Sequence, residues 1–151
     1  MLESTLFRSL INNAPLISID LIVRNKESNI LLGKRVNAPA KGFYFVPGGR
    51  IYKNETLASA FQRICLSELG INVDISSVKM LGVYEHFYDD SFFGPEINTH
   101  YVVLAYELSI DVNLLSLPGA QHGDYIYMCK DDIVSAENVH SYTQQYFSQK
   151  V

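Results

Sequence analysis

The sequence predicts an α+β domain with α/β/α layering, and three observations carry that expectation. Two apolar runs flank the turn "KESN" and read as a hairpin. A capped helical pattern follows a glycine pair in the middle of the chain. The remaining strands are long and irregularly spaced, which does not fit regular βαβ repetition.

Taken in order, Leu6, Phe7, Leu10 and Ile11 recur at helical spacing and predict a short first helix ending near "NNAP". Leu16 to Arg24 and "ILLGKRV" form the two arms of the hairpin. "NAPAKG" is a loop, "FYFV" a short aromatic strand, and Pro47 stops it before "GGR". Asn54 or Thr56 caps a helix reaching about Leu69, with Gly70 at its C-terminal stop. "INVD" reads as a brief strand and "VKMLGVYEHFY" as a longer one. After the loop "DDSFFGPEIN", "THYVVLAYELSI" is the clearest strand, rich in β-branched and aromatic residues. "LLSLPGAQHGD" is read as loop, "YIYMC" as strand, and about Ala136 to Gln149 as a closing helix. The 151 residues suit one domain, 1–151, with a core of its own.

Net charge is −4, with no basic block, which argues against a nucleic-acid partner. No segment approaches a membrane span and the start does not read as a signal peptide. Cys65 and Cys129 lack metal-site spacing and suit a reducing compartment, so the expected location is cytoplasmic.

The central helix poses a chemical question. On a wheel starting at Leu57, Phe61 lies at about 40° and Glu68 at about 20°, inside the apolar arc. A carboxylate there, in the last turn, needs a positive partner or a wet cavity. Arg63, a divalent cation, or fraying of the helix before Glu68 would each answer it.

The stretch "GRIYKNETLASAFQRICLSELGI" resembles the Nudix box. Gly49, Glu55, Arg63, Glu68, Gly70 and Ile71 match its pattern. Ile64 and Ser67 stand where the family has two further Glu residues. With "LLGKRVNAPAKGFYFVPGGR", "EHFYDDSFFG", "THYVVLAYE" and "QHGDY", these departures resemble the GDP-mannose mannosyl hydrolase branch, from about Pro15 to the final helix.

That resemblance implies a mixed β-sheet sandwiched between helices, and an enzyme in which water attacks C1 of a GDP-linked sugar with inversion. The leaving diphosphate needs charge neutralisation more than protonation. The resemblance implies Mg²⁺ held by Gly48, Glu68 and Gln121, which supply hard oxygens. It implies His122 as the base, since imidazole titrates near neutrality, and catalytic roles for Arg35, Asp20 and Tyr101. Arg50, Arg63, His86 and Tyr101 are the expected substrate contacts, with Arg63 alternatively ordering neighbouring groups. Glu55 is expected to act in structure or capping. The implied partner is a small nucleotide sugar, GDP-mannose or GDP-glucose, and the implied assembly is a homodimer. Two other readings stand beside it: attack at phosphorus, and a non-catalytic nucleotide-sugar binding domain.

Overall fold

The computed structural model describes residues 2–118 and 122–148, for His122 the backbone alone. The expected layering is present, and its organising element is β1, Leu16–Arg24. Every second residue of this strand faces the same way. Ile19, Leu21 and Val23 join Phe61, Ile64, Cys65 and Leu69 in one core cluster. Ile22 joins Ile30, Leu32, Phe45, Val46, Ile133, Val139 and Phe147 in another, on the opposite face. The sheet is thus buried on both sides, and Ser18 and Asp20 share the face of Ile22.

The second strand, β2, spans Ile30–Arg35, followed by β3, Tyr44–Phe45, and β4, Gly48–Arg50. β5, Lys79–Tyr88, β6, Thr99–Ser109, and β7, His122–Met128, complete the described strands. The order β3-β2-β1-β6-β5 is extended by β4 on β1 and β7 on β2. β1 and β6 run parallel, whereas the pairs β1–β2, β1–β4, β2–β7 and β5–β6 are antiparallel. The sheet is therefore mixed.

Helix α1, Ser4–Asn13, buries Ile11 but leaves Leu6 exposed. Helix α2, Leu57–Leu69, is capped by Thr56, whose side chain accepts from Ser59 N at 3.1 Å, and ends on Gly70 in the left-handed conformation. Asn54 is not the cap: its φ of 70° places it in the preceding turn. α2 continues through Glu68 without fraying, but its first residue, Leu57, is exposed.

Four expectations are corrected. "INVD" forms no strand and leads into a 3₁₀ turn at Ile75–Ser77, where Asp74 accepts from Ser76 N. "GGR" is a strand, because the absence of side chains at Gly48 and Gly49 lets β4 approach β1 and α2. β7 begins at His122 rather than Tyr125, extended by pairing with β2. Of the closing helix expected over about Ala136 to Gln149, only α4, Ser141–Gln144, forms among the described residues, and a separate helix α3, Lys130–Ser135, precedes it. Between them the chain pairs with β3, Tyr44 N donating to Asn138 O and His140 N to Tyr44 O. Among the described residues no helix is long and apolar enough to cross a membrane.

Candidate active site

Strand register assembles the site. On β1 and β4, Ser18 pairs with Arg50 and Asp20 with Gly48. On β5 and β6, His86 pairs with Tyr101, and Tyr101 stands beside Leu16 of β1. On β2 and β7, Arg35 pairs with the backbone of His122. Residues far apart in sequence thus meet around a cavity of about 170 Å³. Its walls include Ser18, Asp20, Arg35, Gly48, Arg50, His86 and Tyr101, with Phe45 and Tyr88 as aromatic surface.

Gly48 is required by close approach. A Cβ there would lie 2.5 Å from Ile19 O and 2.7 Å from Asp20 Oδ1. At Gly49 a Cβ would crowd Ile64 of α2 at 3.2 Å. The isoleucine that replaces a box carboxylate is thereby used as core packing beneath the glycine strand.

The electrostatics are unequal across the cavity. Burial pushes the Asp20 carboxyl up to about 7, against the opposing pull of a hydrogen bond from Tyr146 and the positive charge of Arg35. The Tyr146 hydroxyl donates to Asp20 Oδ2 at 2.5 Å. His86 is pushed down to about 4, by burial first and by His140 second. Burial also raises the Tyr101 phenol. The Arg35 guanidinium lies 5.9 Å from the Phe45 ring centroid, and its buried Nε has no hydrogen-bond partner among the described residues. A cationic donor with unused capacity at a cavity wall suits an anionic ligand. Arg50 stands over Phe7 at 4.1 Å and joins this cavity to the groove beside α1.

Glu68 is buried at 5% exposure, on the inward face that the helical period predicts. It does not line the cavity, but Arg35 acts on it electrostatically. Burial pushes its carboxyl up to about 7, with Ser67 and Arg35 opposing. Arg63 is not its partner. Its guanidinium donates to both oxygens of Glu55, at 2.6 and 2.8 Å, and to Arg50 O at 2.7 Å. Arg63 is absent from the cavity lining; its hydrogen bonds through Nε and Nη2 go to Glu55 and to the Arg50 carbonyl, the alternative in which it orders neighbouring groups. Gln121 lies outside the described residues, as does the side chain of His122.

Ser18, Phe45, Tyr88 and Tyr146 also contribute, beyond the residues the sequence singles out. Ser18 was visible in principle, since it shares the face of Asp20 at period two. Tyr88 likewise follows His86 by two on β5. Tyr146 had no local signal: it lies 126 residues from Asp20 and arrives from the opposite end of the chain.

A NUDIX domain model matches residues 14–148. The chain belongs to the Nudix family of hydrolases. The low-salt glycan biosynthesis protein Agl8 of Haloferax volcanii is 39% identical over 140 residues, covering 93% of this chain and 85% of that protein. A Burkholderia pseudomallei MutT NUDIX hydrolase superposes with a TM-score of 0.71 at 22% identity, over 92% of this chain and all (100%) of that one. The NUDIX domain of Shewanella oneidensis NrtR, complexed with ADP ribose, superposes with a TM-score of 0.66 at 15% identity, over 97% and 95% of the two chains. Both superpositions support the Nudix fold. Nudix hydrolases generally use divalent metals such as Mg²⁺. In this member no group of three or more His, Cys, Asp or Glu side chains gathers among the described residues.

Proposed function

We propose that this Nudix hydrolase cleaves GDP-mannose, with GDP-glucose as the second candidate substrate, to GDP and free sugar by water attack at C1 with inversion. The observation that carries this reading is the meeting of Arg35 and Arg50 with Asp20, His86 and Tyr101 around one cavity. Two guanidinium groups can take the two phosphates of a diphosphate leaving group. The acid and the aromatic groups beside them suit a sugar ring. The relative named for glycan biosynthesis supports a nucleotide-sugar substrate.

Mg²⁺, held by the Gly48 carbonyl, Glu68 and Gln121, would supply further neutralisation of the leaving diphosphate. His122 would take the proton of the attacking water. Asp20 orients the sugar and that water, and Tyr101 donates a hydrogen bond to the departing oxygen. Arg63 orders Arg50 through its carbonyl rather than contacting phosphate. A neighbouring cavity of about 210 Å³ shares Arg35 and Tyr101 and adds Phe7, Pro39 and Phe92, a surface suited to a nucleobase. We assign the protein to the cytoplasm and to a homodimer on the same reading.

Hydrolysis of GDP-mannose in ¹⁸O-water tests the bond broken. The expected label is in mannose, released first as the β-anomer, with GDP unlabelled. Label in GDP, or release of GMP and mannose 1-phosphate, would overturn carbon attack in favour of attack at phosphorus.

A further inference from the structure

Two polar groups of the cavity wall meet the same hydroxyl behind that wall. The oxygen of Tyr146 lies 2.5 Å from Asp20 Oδ2 and 3.4 Å from His86 Nε2. Tyr146 does not line the cavity. Its ring stands edge-on to Tyr84, with centroids 4.7 Å apart and planes at 90°. The preceding turn is anchored as well: the Tyr142 ring stacks on His86 at 4.2 Å, and its hydroxyl bonds both the N–H and the carbonyl of Phe87, at 2.8 and 2.7 Å.

A phenol carries one hydrogen, and an ionised carboxylate can only accept. While Asp20 is ionised, donation to Oδ2 uses that hydrogen and the phenol oxygen accepts from His86 in its Nε2–H tautomer. Once Asp20 is protonated, the acid can donate to the phenol and the phenol to His86 Nε2, and the three groups stay linked in either state. The second carboxylate oxygen, Oδ1, stays on the side of Gly48, a cavity residue. One oxygen of Asp20 is engaged by Tyr146, and the other lies on the side of Gly48.

We propose that Tyr146 is a positioning residue, which holds the Asp20 carboxylate so that Oδ1 faces the substrate and ties its orientation to that of His86. The proposal rests on the role given above to Asp20 at the sugar. It assigns the last described turn, where the sequence predicts a continuous helix, to the back wall of the active site. Orientation matters here because a group that acts on a reacting carbon loses effectiveness when it can rotate away.

The test is a double-mutant cycle in the full-length protein. Tyr146→Phe removes the hydroxyl and keeps the ring against Tyr84. We expect kcat for GDP-mannose to fall roughly 10-fold or more, the scale of a hydrogen bond to a charged group, with a smaller change in KM. In an Asp20→Ala background the same change should cost less than about 2-fold, because its target is gone. A packing role would subtract its full loss in both backgrounds, and such additivity would overturn the proposal.

A second measurement needs neither turnover nor loss of the hydroxyl. With 3-fluorotyrosine placed at position 146, the ¹⁹F resonance should shift on Asp20→Ala, and an unchanged resonance would overturn the contact. A wild-type protein inactive on GDP-mannose would overturn the proposed reaction alone, leaving this resonance to decide the role of Tyr146.

Discussion

Arg63 and Glu55 form a forked ion pair at the start of α2, with Nε to Oε1 at 2.6 Å and Nη2 to Oε2 at 2.8 Å. The same carboxylate accepts from Tyr52 N at 2.8 Å, and the Arg63 guanidinium lies 3.9 Å from the Tyr52 ring centroid. Glu55 therefore ties the loop after β4 to the helix, and Arg63 carries that tie to the Arg50 carbonyl.

This pair predicts a pH-dependent loss of stability. The Arg63 partner pulls the Glu55 carboxyl down to about 2, from 4.5. A lowered acid stabilises the fold above its unfolded pKa, and the contribution fades as pH falls through the folded one. Glu55→Gln should lower Tm by about 3 °C near pH 7, corresponding to about 1 kcal/mol for a partly screened pair. The difference should shrink between pH 4.5 and pH 2. A difference unchanged by acid, followed by circular dichroism, would count against the pair.

Gly48→Ala tests the close approach of β4 to β1. The new Cβ would meet Ile19 O at 2.5 Å, a backbone atom that cannot swing aside. A cost of about 1–3 kcal/mol is expected, the usual range for overpacking. Thermal unfolding measures it. Turnover should fall together with stability, because the same Cβ displaces Asp20 Oδ1.

Glu68→Gln should keep the fold while weakening Mg²⁺ binding and lowering kcat, since a neutral amide replaces an anion. Gln121→Ala should act in the same direction and more mildly, because water can replace a neutral ligand. Isothermal titration with Mg²⁺ in the presence of GDP provides the measurement. Wild-type affinity in the Glu68 variant would remove that residue from the metal site.

His122→Gln should lower kcat by roughly 10²–10⁴-fold and weaken or abolish the acidic limb of the pH–rate profile, which reports a base that must be deprotonated. Any limb that remains would belong to Asp20 or Glu68, whose carboxyls burial pushes up to about 7. His86→Gln should leave the position of that limb near neutrality unchanged, since burial pushes the His86 imidazole down to about 4 and keeps it neutral near pH 7. An acidic limb lost in the His86 variant would transfer the role of base to that residue.

Much of this protein is determined by local sequence. Alternation in Leu16 to Arg24 specifies a strand with two apolar faces, and the period of 3.6 places Glu68 among Phe61, Ile64 and Cys65. Thr56 and Gly70 bound α2 because a side-chain acceptor and a left-handed residue satisfy its ends locally. The box pattern locates Gly49, Glu55 and Arg63, but it does not say that Arg63 turns toward Glu55 rather than toward the ligand.

Tertiary structure decided what lacked a local signal. β4 exists because two glycines permit a backbone approach that only β1 and α2 define. The C-terminal segment has enough apolar residues for a helix, yet between α3 and α4 its backbone finds partners in β3 and stops being helical. Tyr146 reads in sequence as one more aromatic residue. Its bond to Asp20 depends on the sheet bringing strand β1 beneath the last described turn. Periodicity says which way a side chain faces, and only the assembled layers determine what it meets there.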